Sequence, residues 1–473
     1  MISPRRIPRA EHNVSRSMIS SGTLKTLYTL KDAGYEAYMV GGGVRDLLAG
    51  LEPKDFDVAT NAHPEQVKPL FRSCRLVGRR FVICHVRFGD EIVETTTFRG
   101  AITDLHKRDE TGRILSDNVY GTLAEDAIRR DFTVNALYYD IRDYSIVDFT
   151  TGIEDMRAGV IRLIGDPELR YREDPVRMLR AIRIANKLHF RIDDATAAPI
   201  ARLASLLREI PAARLFDEVL KLLLSKEAED NLYGLRVYGL FRQLFPVLDP
   251  LLSKPDNLQF VNAALRNTAQ RMVAGQAVSP SFLYASLLWP AVEARAAQLR
   301  LEQGCEPFIA IQQAGEEVIA RTISHVAIPK RFSLPMRDIW DLQPRFEQTT
   351  ATRARRLMTH PKFRAAYDFL LVRAQSSGNA ALLELATWWT EAQKGGDLPP
   401  APELPADDVF ATASEAPRKR RRRRGGRNRR GPAVAGEAAP TLAGGDGVDD
   451  GDDTDDDGDA GPDGNAPRAA DAS

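Results

Sequence analysis

The chain has 473 residues with 65 basic and 65 acidic side chains, so its formal net charge is zero, and its length allows two to four domains with a sizeable core. Its three cysteines, Cys74, Cys84 and Cys305, lack metal-ligand spacing, which favours a reducing, cytoplasmic location over a disulfide-rich secreted protein. No run approaches the ~18 apolar residues of a membrane span, and no apolar region follows the first arginines as a secretory signal requires.

The first third of the chain mixes helix and strand patterns. Residues 1–22 are polar and are predicted to be flexible. Leucines at three-residue spacing predict an amphipathic helix over residues 22–32, which Gly34 would end. This mixture predicts an α/β head over residues 23–150. Its other predicted elements are strands at 37–40, 56–58, 80–88 and 91–98 and a helix at 64–71.

Two aspartates one residue apart, Asp55 and Asp57, form the first candidate site. Side chains two residues apart on a strand point to the same face, so these carboxylates would lie side by side. Mg²⁺ offsets their repulsion well, because it takes oxygen ligands and keeps substrate phosphates in its shell. The pair predicts a site for Mg²⁺, with Mn²⁺ as the alternative, although most isolated Asp-x-Asp pairs are solvated strand ends.

A glycine turn precedes that pair. Gly42 and Gly43 lack a Cβ, so the backbone N–H groups there can approach phosphates closely. Arg45 either binds a phosphate or forms an ion pair with Asp46. Together with the paired carboxylates, the turn predicts nucleotidyl transfer, in which one metal ion assists attack by a 3′-hydroxyl and another steadies the triphosphate.

Glu94 is a candidate third carboxylate. It alternates with apolar neighbours on the predicted strand 91–98, and an acidic residue in such a strand faces either a site or the solvent. Two-metal catalysis uses carboxylates that bridge ions about 3.5–4 Å apart, and Glu94 is a candidate for one of these carboxylates. A solvated strand face is the equally weighted alternative.

The cluster Arg129, Arg130 and Asp131 precedes an apolar run that ends at Tyr139. Most such clusters are solvated helix ends. The apolar run that follows this cluster must be buried, so the charged residues are expected to lie close to the folded core. Arginine forks suit triphosphate oxygens or a ribose, and Asp131 can orient them. We therefore expect Arg129 and Arg130 to bind nucleotide.

A strongly amphipathic helix is predicted over residues 172–188. Asp174 and Pro175 fit a plain helix start, but that interpretation leaves Glu173 and Arg177 unexplained. Asp174 and Arg177 are three residues apart, so they can face one ligand together. An acceptor beside a two-pronged donor can hydrogen-bond the Watson–Crick edge of a base.

Beyond Tyr120 the chain is predicted to be helical, apart from one hairpin-like passage built from residues 145–149 and 160–164. Residues 151–225 are predicted to form a neck with nucleotide-selecting and RNA-binding helices, and residues 226–395 a helical body. Helical periodicity is clear over residues 195–207, 213–224 and 227–238.

The composition changes sharply after residue 395. Bulky apolar residues nearly vanish, so residues 396–473 are predicted to be disordered. Clustered arginines neutralise phosphates and bind RNA without sequence preference, with a merely solubilising charge run as the alternative. The candidate RNA-binding residues are Arg418, Arg420, Arg421, Arg422, Arg423 and Arg424.

An acidic segment, residues 446–459, follows the arginines. We hypothesise that it folds back on them and competes with RNA. Removal of residues 446–473 would then raise RNA affinity at low salt, and an unchanged affinity would contradict the hypothesis.

The glycine turn and Asp55-Phe-Asp57 together resemble the transfer-RNA nucleotidyltransferase and bacterial poly(A) polymerase family. The resemblance implies an α+β protein: a small nucleotidyltransferase (polymerase β-like) α/β head, an all-helical neck and body, and a disordered charged C-terminal tail. Residues 129–136 match the family's head-to-neck motif, which implies that Asp131 joins Asp55 and Asp57 as a catalytic carboxylate. Residues 173–177 match its Glu-Asp-x-x-Arg element, which implies a protein template for the incoming base.

Two activities compete within this family. A CCA-adding enzyme alternates CTP and ATP on transfer-RNA, whereas a poly(A) polymerase adds only AMP, and the catalytic motifs are shared. The segments 76–86, 162–180 and 328–332 and the arginine-rich tail look like those of bacterial poly(A) polymerases, although Cys84 stands where alanine or valine is usual. The predicted function is template-independent addition of AMP from ATP to RNA 3′ ends in mRNA processing and decay.

The expected partners are therefore ATP and the 3′ ends of mRNA, small RNA and transfer-RNA precursors, and the CCA-adding activity remains the alternative. A non-catalytic RNA-binding scaffold is a third possibility. Scaffolds of that kind usually lack a carboxylate, whereas Asp55, Asp57 and Asp131 are all present.

Overall fold

The computed structural model describes residues 3–78, 81–100, 107–108, 114–116, 119–394 and 398–402. The predicted RNA-binding arginines and the acidic segment lie outside these residues. The described strands are β1 (Arg5–Ile7), β2 (Ala37–Val40), β3 (Asp57–Thr60), β4 (Cys74–Val77), β5 (Ile83–Phe88), β6 (Glu91–Thr97), β7 (Lys107–Arg108), β8 (Ile114–Ser116), β9 (Leu137–Asp140), β10 (Ile146–Asp148), β11 (Val160–Ile161) and β12 (Arg191–Ile192).

Eight of these strands form one mixed sheet in the order β1-β10-β9-β2-β3-β6-β5-β4. Its neighbours are antiparallel except β3 and β6, which run parallel. The register places one residue of each strand in a row across the sheet, and such a row points to one face. From β2 to β4 the row consists of Val40, Asp57, Glu94, His85 and Arg75.

Helices make up most of the chain after the sheet. Short 3-10 helices cover Arg9–Glu11, Arg16–Met18, Lys68–Leu70, Thr133–Asn135, Ala204–Glu209, Asp249–Ser253 and Gln343–Arg345. The α-helices are α1 (Ser21–Asp32), α2 (Gly42–Leu48), α3 (Pro64–Val67), α4 (Leu123–Arg129), α5 (Gly152–Ala158), α6 (Pro167–Glu173), α7 (Val176–Leu188), α8 (Asp194–Ala197), α9 (Ile200–Leu203), α10 (Ala212–Leu223), α11 (Ala228–Val237), α12 (Leu240–Leu244), α13 (Pro255–Val273), α14 (Pro280–Gln303), α15 (Pro307–Ile323), α16 (Lys330–Leu342), α17 (Ala351–Met358), α18 (Phe363–Ser377) and α19 (Ala380–Ala392).

The prediction of a flexible N-terminus is wrong for the described residues 3–22. Strand β1 pairs with β10 at the edge of the sheet. Ile7, Val14 and Ile19 are buried in the core of the head. Three well-spaced apolar anchors hold this segment, although its average composition is polar.

The predicted hairpin of residues 145–149 and 160–164 is also wrong. Helix α5 separates the two runs, β10 joins the large sheet, and β11 pairs in parallel with β12. Strand β9 was not predicted, although it lies beside β2 in the middle of the sheet. All four of its residues are buried, so it lacks the polar–apolar alternation of a half-exposed strand.

Two predicted helices are broken where proline follows. The helix predicted at 172–188 is divided into α6 and α7 at Asp174–Pro175, and the one at 195–207 is divided at Pro199. A residue before proline is pushed out of the helical conformation, as the φ of −151° at Asp174 shows. The predicted helix at 22–32 is confirmed, because α1 covers Ser21–Asp32 and Gly34 follows it at a φ of +88°.

One face of the sheet packs against α1 and α2, and the other face is covered only in part by α4. The largest hydrophobic cluster begins at Phe132 and runs through α7 and α10 to Val372. Neck and body therefore share one core, and the predicted boundary between them stays a prediction.

In the described part of the chain, no helix combines the length and apolar character that a membrane span requires. Cys74, Cys84 and Cys305 are all free thiols.

Candidate active site

The carboxylates of the first motif lie where β3 begins. Asp57 opens the strand and pairs in register with Glu94 of β6, while Asp55 lies before the strand and is exposed. The strand was predicted to begin at Phe56, and β3 begins at Asp57. The predicted alternation of side chains therefore applies to Asp57 and not to Asp55. Half of the Glu94 side chain is exposed, and its Oε1 is 3.7 Å from the Nε2 atom of His85.

Asp57 has the electrostatics of an uncompensated carboxylate. Burial, together with the charges of Glu94 and Asp55, raises its pKa to about 6. Arg130 and Arg180 act in the opposite direction without cancelling this effect. The three carboxylates are therefore close enough to interact, and their mutual repulsion favours a cation.

The described residues include no group of three or more His, Cys, Asp or Glu side chains arranged to hold a metal ion. Mg²⁺ commonly binds proteins through one or two carboxylates, with substrate phosphates and water as its other ligands. Asp57 with Asp55 or Glu94 offers the hard oxygen donors that such an ion needs.

The glycine turn meets the site at Gly41, which sequence reasoning passed over. Gly41 has a φ of +77°, and a Cβ on it would lie 3.5 Å from Nη1 of Arg130 and 3.7 Å from Oδ2 of Asp57. Gly42 and Gly43 begin α2. A Cβ on Gly43 would lie 3.0 Å from the ring of Phe56, so this glycine lets α2 approach the aspartate segment closely.

Arg45 does not face the site. Its guanidinium is buried, with Nε and Nη2 donating to Asp46 at 2.9 and 2.6 Å and Nη1 donating to Asn135 at 2.7 Å. Lys187 of α7 donates to the other oxygen of Asp46 at 2.6 Å. The geometry thus favours the structural ion pair over the predicted phosphate contact, because each of the three guanidinium nitrogens of Arg45 already donates to a protein group.

The two arginines of the next motif have different surroundings. Arg129 is buried and donates to the carbonyl oxygen of Gly100 at 2.7 Å. Arg130 donates from Nε to the Tyr138 hydroxyl at 2.9 Å and from Nη2 to Asp126 at 2.9 Å. Its Nη1 atom points toward Gly41, so only Arg130 of this pair reaches the turn beside Asp57.

Asp131, the third predicted catalytic carboxylate, is fully engaged. Its Oδ1 accepts from the Phe132 N–H and from Asn135, both at 2.9 Å, and its Oδ2 accepts from Arg180 Nε at 2.7 Å. Burial would raise its pKa, but Arg180 and Asn135 hold the pKa well below the ordinary value. The structure gives Asp131 a role in tying the head to α7.

Glu173 and Arg177 of the neck element form one connected group with Arg170. Glu173 Oε2 accepts from Arg170 at 2.7 Å and from Arg177 at 3.0 Å, and Arg177 also donates to the Arg170 carbonyl oxygen at 2.6 Å. Arg170 donates in turn to the carbonyl oxygens of Arg129 and Arg130. The neck element is thus bonded to the backbone of the head motif.

Asp174 lies in the break between α6 and α7, not on one helix with Arg177 as predicted. Its Oδ2 accepts from Arg214 of α10 at 2.8 Å and its Oδ1 from the Val176 N–H at 3.3 Å. Arg180 and Arg214, which orient the predicted residues, were missed. Their partners are 49 and 40 residues away in the chain, so no local pattern marks them.

Two surface grooves of about 570 and 350 Å³ lie along α13, against α18 and α11 respectively. None of the predicted site residues lines them. The carboxylates and the glycine turn identify the site better than these grooves do.

Three family models match the chain. A poly A polymerase head domain matches residues 37–162, and an arginine-rich C-terminus of polymerase A matches residues 303–428. Residues 189–252 match a model described as "Probable RNA and SrmB- binding site of polymerase A".

Curated relatives agree with these matches. The chain is 47% identical to poly(A) polymerase I of Salmonella typhi over 89% of this chain and 93% of that protein. It is 46% identical to poly(A) polymerase I of Escherichia coli O157:H7 over 90% and 93%. A CCA-adding enzyme of Lactobacillus helveticus is 40% identical over only 42% of this chain and 49% of its own length.

The fold is that of solved CCA-adding enzymes. A structure of the Thermotoga maritima CCA-adding enzyme with tRNA superposes with a TM-score of 0.54 at 20% identity, covering 81% of this chain and 84% of that one. The predicted α+β fold, with a nucleotidyltransferase head and a helical neck and body, is confirmed. The carboxylate site is consistent with these matches. The head-domain match and the identity over nearly the full length show that the chain belongs to the bacterial poly(A) polymerase family of polynucleotide adenylyltransferases.

Proposed function

We propose that this chain adds AMP from ATP to RNA 3′ ends without a template, with chemistry centred on Asp57. The observation that carries the proposal is the register of Asp57 with Glu94 beside the turn at Gly41 and the donor of Arg130. This places clustered negative charge next to a backbone that phosphates can approach. The identity to poly(A) polymerase I supports ATP and RNA as the substrates.

The triphosphate would lie against Gly41 and Arg130. The absence of a Cβ at Gly41 lets phosphate oxygens approach the backbone. Asp126 and Tyr138 hold Arg130, so its Nη1 already points at the turn and needs no reorganisation when charge develops. Gly42 and Gly43 support this arrangement from the start of α2.

Asp57 with Asp55 or Glu94 would hold Mg²⁺, with Mn²⁺ as the alternative. Their donors are all carboxylate oxygens, which such hard cations prefer, and their mutual repulsion is relieved by a cation. When bound, the ion would assist attack by the RNA 3′-hydroxyl on the α-phosphate and neutralise the leaving pyrophosphate. Asp131 is left out of this set, because its oxygens are already bound to protein groups.

The adenine base would lie against Asp174 and Arg177. Glu173 fixes the guanidinium of Arg177, and Arg214 fixes the carboxylate of Asp174, so an acceptor and a donor are held in place before the base arrives. Fixed polar groups discriminate between bases because a wrong base leaves them unpaired. RNA would approach over the region that matches the RNA-binding model and over the arginine-rich tail.

CCA addition is the second candidate, because CCA-adding enzymes share the fold. The match to the arginine-rich C-terminus and the near-complete coverage of poly(A) polymerase relatives favour AMP addition. The expected partners are ATP and diverse RNA 3′ ends.

The test uses purified protein with Mg²⁺ and two end-labelled RNAs, a transfer-RNA that lacks its CCA end and an unstructured RNA. Each is supplied with ATP alone or CTP alone. Long products on both RNAs with ATP, and few with CTP, are expected. Two cytidines added only to the transfer-RNA would establish CCA addition instead.

A further inference from the structure

The sheet face that carries Asp57 is covered on one side of this residue and open on the other. Over β2 and β9, helix α4 packs its Ala127 against Val40 and Tyr138. Over β6, β5 and β4 the same face is accessible: Ile92 is 51% exposed and Val77 38% exposed. The accessible half begins at the catalytic carboxylates.

The open half carries one row of polar and charged residues between two mixed rows. The row that contains Asp57 continues through Glu94 to His85 on β5 and Arg75 on β4. The side chain of Arg75 is exposed and has no carboxylate or hydrogen-bond partner among the described residues. The flanking rows provide aliphatic side chains, Val77 and Ile83 beside Thr96 on one side and Ile92 beside Arg87 on the other.

The row has the dimensions of a nucleotide chain rather than of a small molecule. Neighbouring strands lie about 4.8 Å apart, so His85 is about 10 Å and Arg75 about 14 Å from the column of Asp57. Proteins that bind single-stranded nucleic acid provide a positively charged path for the backbone, with side chains beside it that contact the bases. Arg75 supplies a cation for a phosphate, and Val77, Ile83 and Ile92 supply apolar surface beside it.

We propose that the open face of β4, β5 and β6 binds the RNA nucleotides that precede the reactive 3′ end, with His85 and Arg75 on successive phosphates. We call this surface the outer track, and it consists of Arg75, Val77, Ile83, His85 and Ile92. The triphosphate side of Asp57 is occupied by Gly41 and Arg130, so RNA reaches the carboxylates from the opposite side, across β6. This proposal rests on the proposed function, since it deepens the substrate binding of the same site.

Primer length provides the test. A dinucleotide that reaches Asp57 is too short to reach Arg75, whereas an octanucleotide passes over it. Arg75→Glu should raise the KM for an octanucleotide about tenfold while changing the KM for a dinucleotide and for ATP less than about twofold. Arg75→Lys should retain most of the octanucleotide affinity, because a phosphate contact needs a cation rather than a specific side chain.

The matched control is Lys25→Glu. Lys25 is exposed on α1, which packs on the other face of the sheet, and the substitution changes net charge by the same amount. It should leave both primers unaffected. An Arg75→Glu effect that is equal for both primers, or absent from both, would overturn the outer track.

Fluorescence anisotropy with a labelled octanucleotide in the absence of ATP separates the two proposals. Loss of one phosphate contact should reduce the slope of log affinity against log salt by about one. If the wild-type protein binds RNA but adds no AMP, the proposed function is wrong. The salt dependence of RNA affinity in Arg75→Glu then still tests whether RNA binds the outer track. An unchanged slope in Arg75→Glu would overturn the track even in a fully active enzyme.

Discussion

The sheet and the joint between head and neck each contain an aspartate that the sequence marks as functional, and their surroundings are opposite. In the sheet, burial and the nearby carboxylates together raise the pKa of Asp57 to about 6. At the joint, burial would also raise the pKa of Asp131, but Arg180 and Asn135 bind its oxygens and lower it. The comparison shows that motif membership does not distinguish a carboxylate available to a cation from one that stabilises the fold.

Substitution of Asp57 should reduce activity more than the substitutions described below. Asp57→Ala should reduce AMP incorporation more than about a hundredfold, because it removes a metal-binding oxygen. The fold should be retained, since the substitution also removes a buried and repelled charge. Labelled-ATP incorporation measures the first effect and urea unfolding the second. Surviving adenylation above background would contradict the metal assignment.

Asp131→Ala should act mainly on stability. It leaves Arg180, Asn135 and the Phe132 N–H without their acceptor, which should cost about 3 kcal/mol of unfolding free energy. Urea unfolding provides the measurement. If stability were unchanged while activity fell as far as in Asp57→Ala, then Asp131 would be a chemical carboxylate, as the family motif implies.

Lowering the pH should protonate Asp126 and weaken its ion pair with Arg130, before it affects the uncharged contacts of the fold. Burial raises the pKa of Asp126, but Arg130 and Arg99 together lower it from 3.8 to about 2. A lowered folded-state pKa contributes stability above the unfolded value and loses it as pH falls through the folded value. About 2 kcal/mol should therefore disappear between pH 4 and pH 2. Asp126→Asn should flatten that part of the stability curve, and an unaltered curve would rule out this pair as its source.

Arg177→Ala should have the smallest effect, and it should be on base choice. Loss of the fixed donor should reduce discrimination of ATP over CTP about tenfold in single-addition assays. The unfolding free energy should change by about 1 kcal/mol, since Arg177 contributes two hydrogen bonds. Arg172→Ala is the control, because Arg172 is an exposed neighbour whose ion pair is with Glu168 of the same helix. Equal loss of discrimination in both variants would argue against a template role.

Local patterns predicted much of the fold but not its long-range pairing. Helix α1 follows from leucines at three-residue spacing, and strand β2 follows from a short run of apolar residues. Strand β9 is buried on both faces as β2 is, but it lies in a stretch that was predicted to be helical. Asp174 was predicted to lie on a helix with Arg177, but the proline after it forces an extended conformation, so Asp174 lies just before the helix that carries Arg177.

The sequence identified the motifs, but it did not predict what each of their residues contacts. Asp57 and Arg130 both lie beside Gly41, and Gly43 lies against the segment of Asp55, while the roles predicted for these residues stay predictions. Arg45 and Asp131 have the residue types that bind phosphate and metal, yet partners from distant segments occupy them. Such occupancy depends on tertiary contacts, which neither composition nor spacing records.

The short strand β1 has a consequence for handling the protein. An unpaired strand edge is a template for association with other chains, and β1 covers the edge of β10 while ending the sheet with Arg5 and Arg6. Arg5 is paired with Glu154, and Arg6 contacts Asp140 and Asp143. A truncated chain that begins at α1 would expose β10 and should self-associate, so the first residues act as a guard against aggregation.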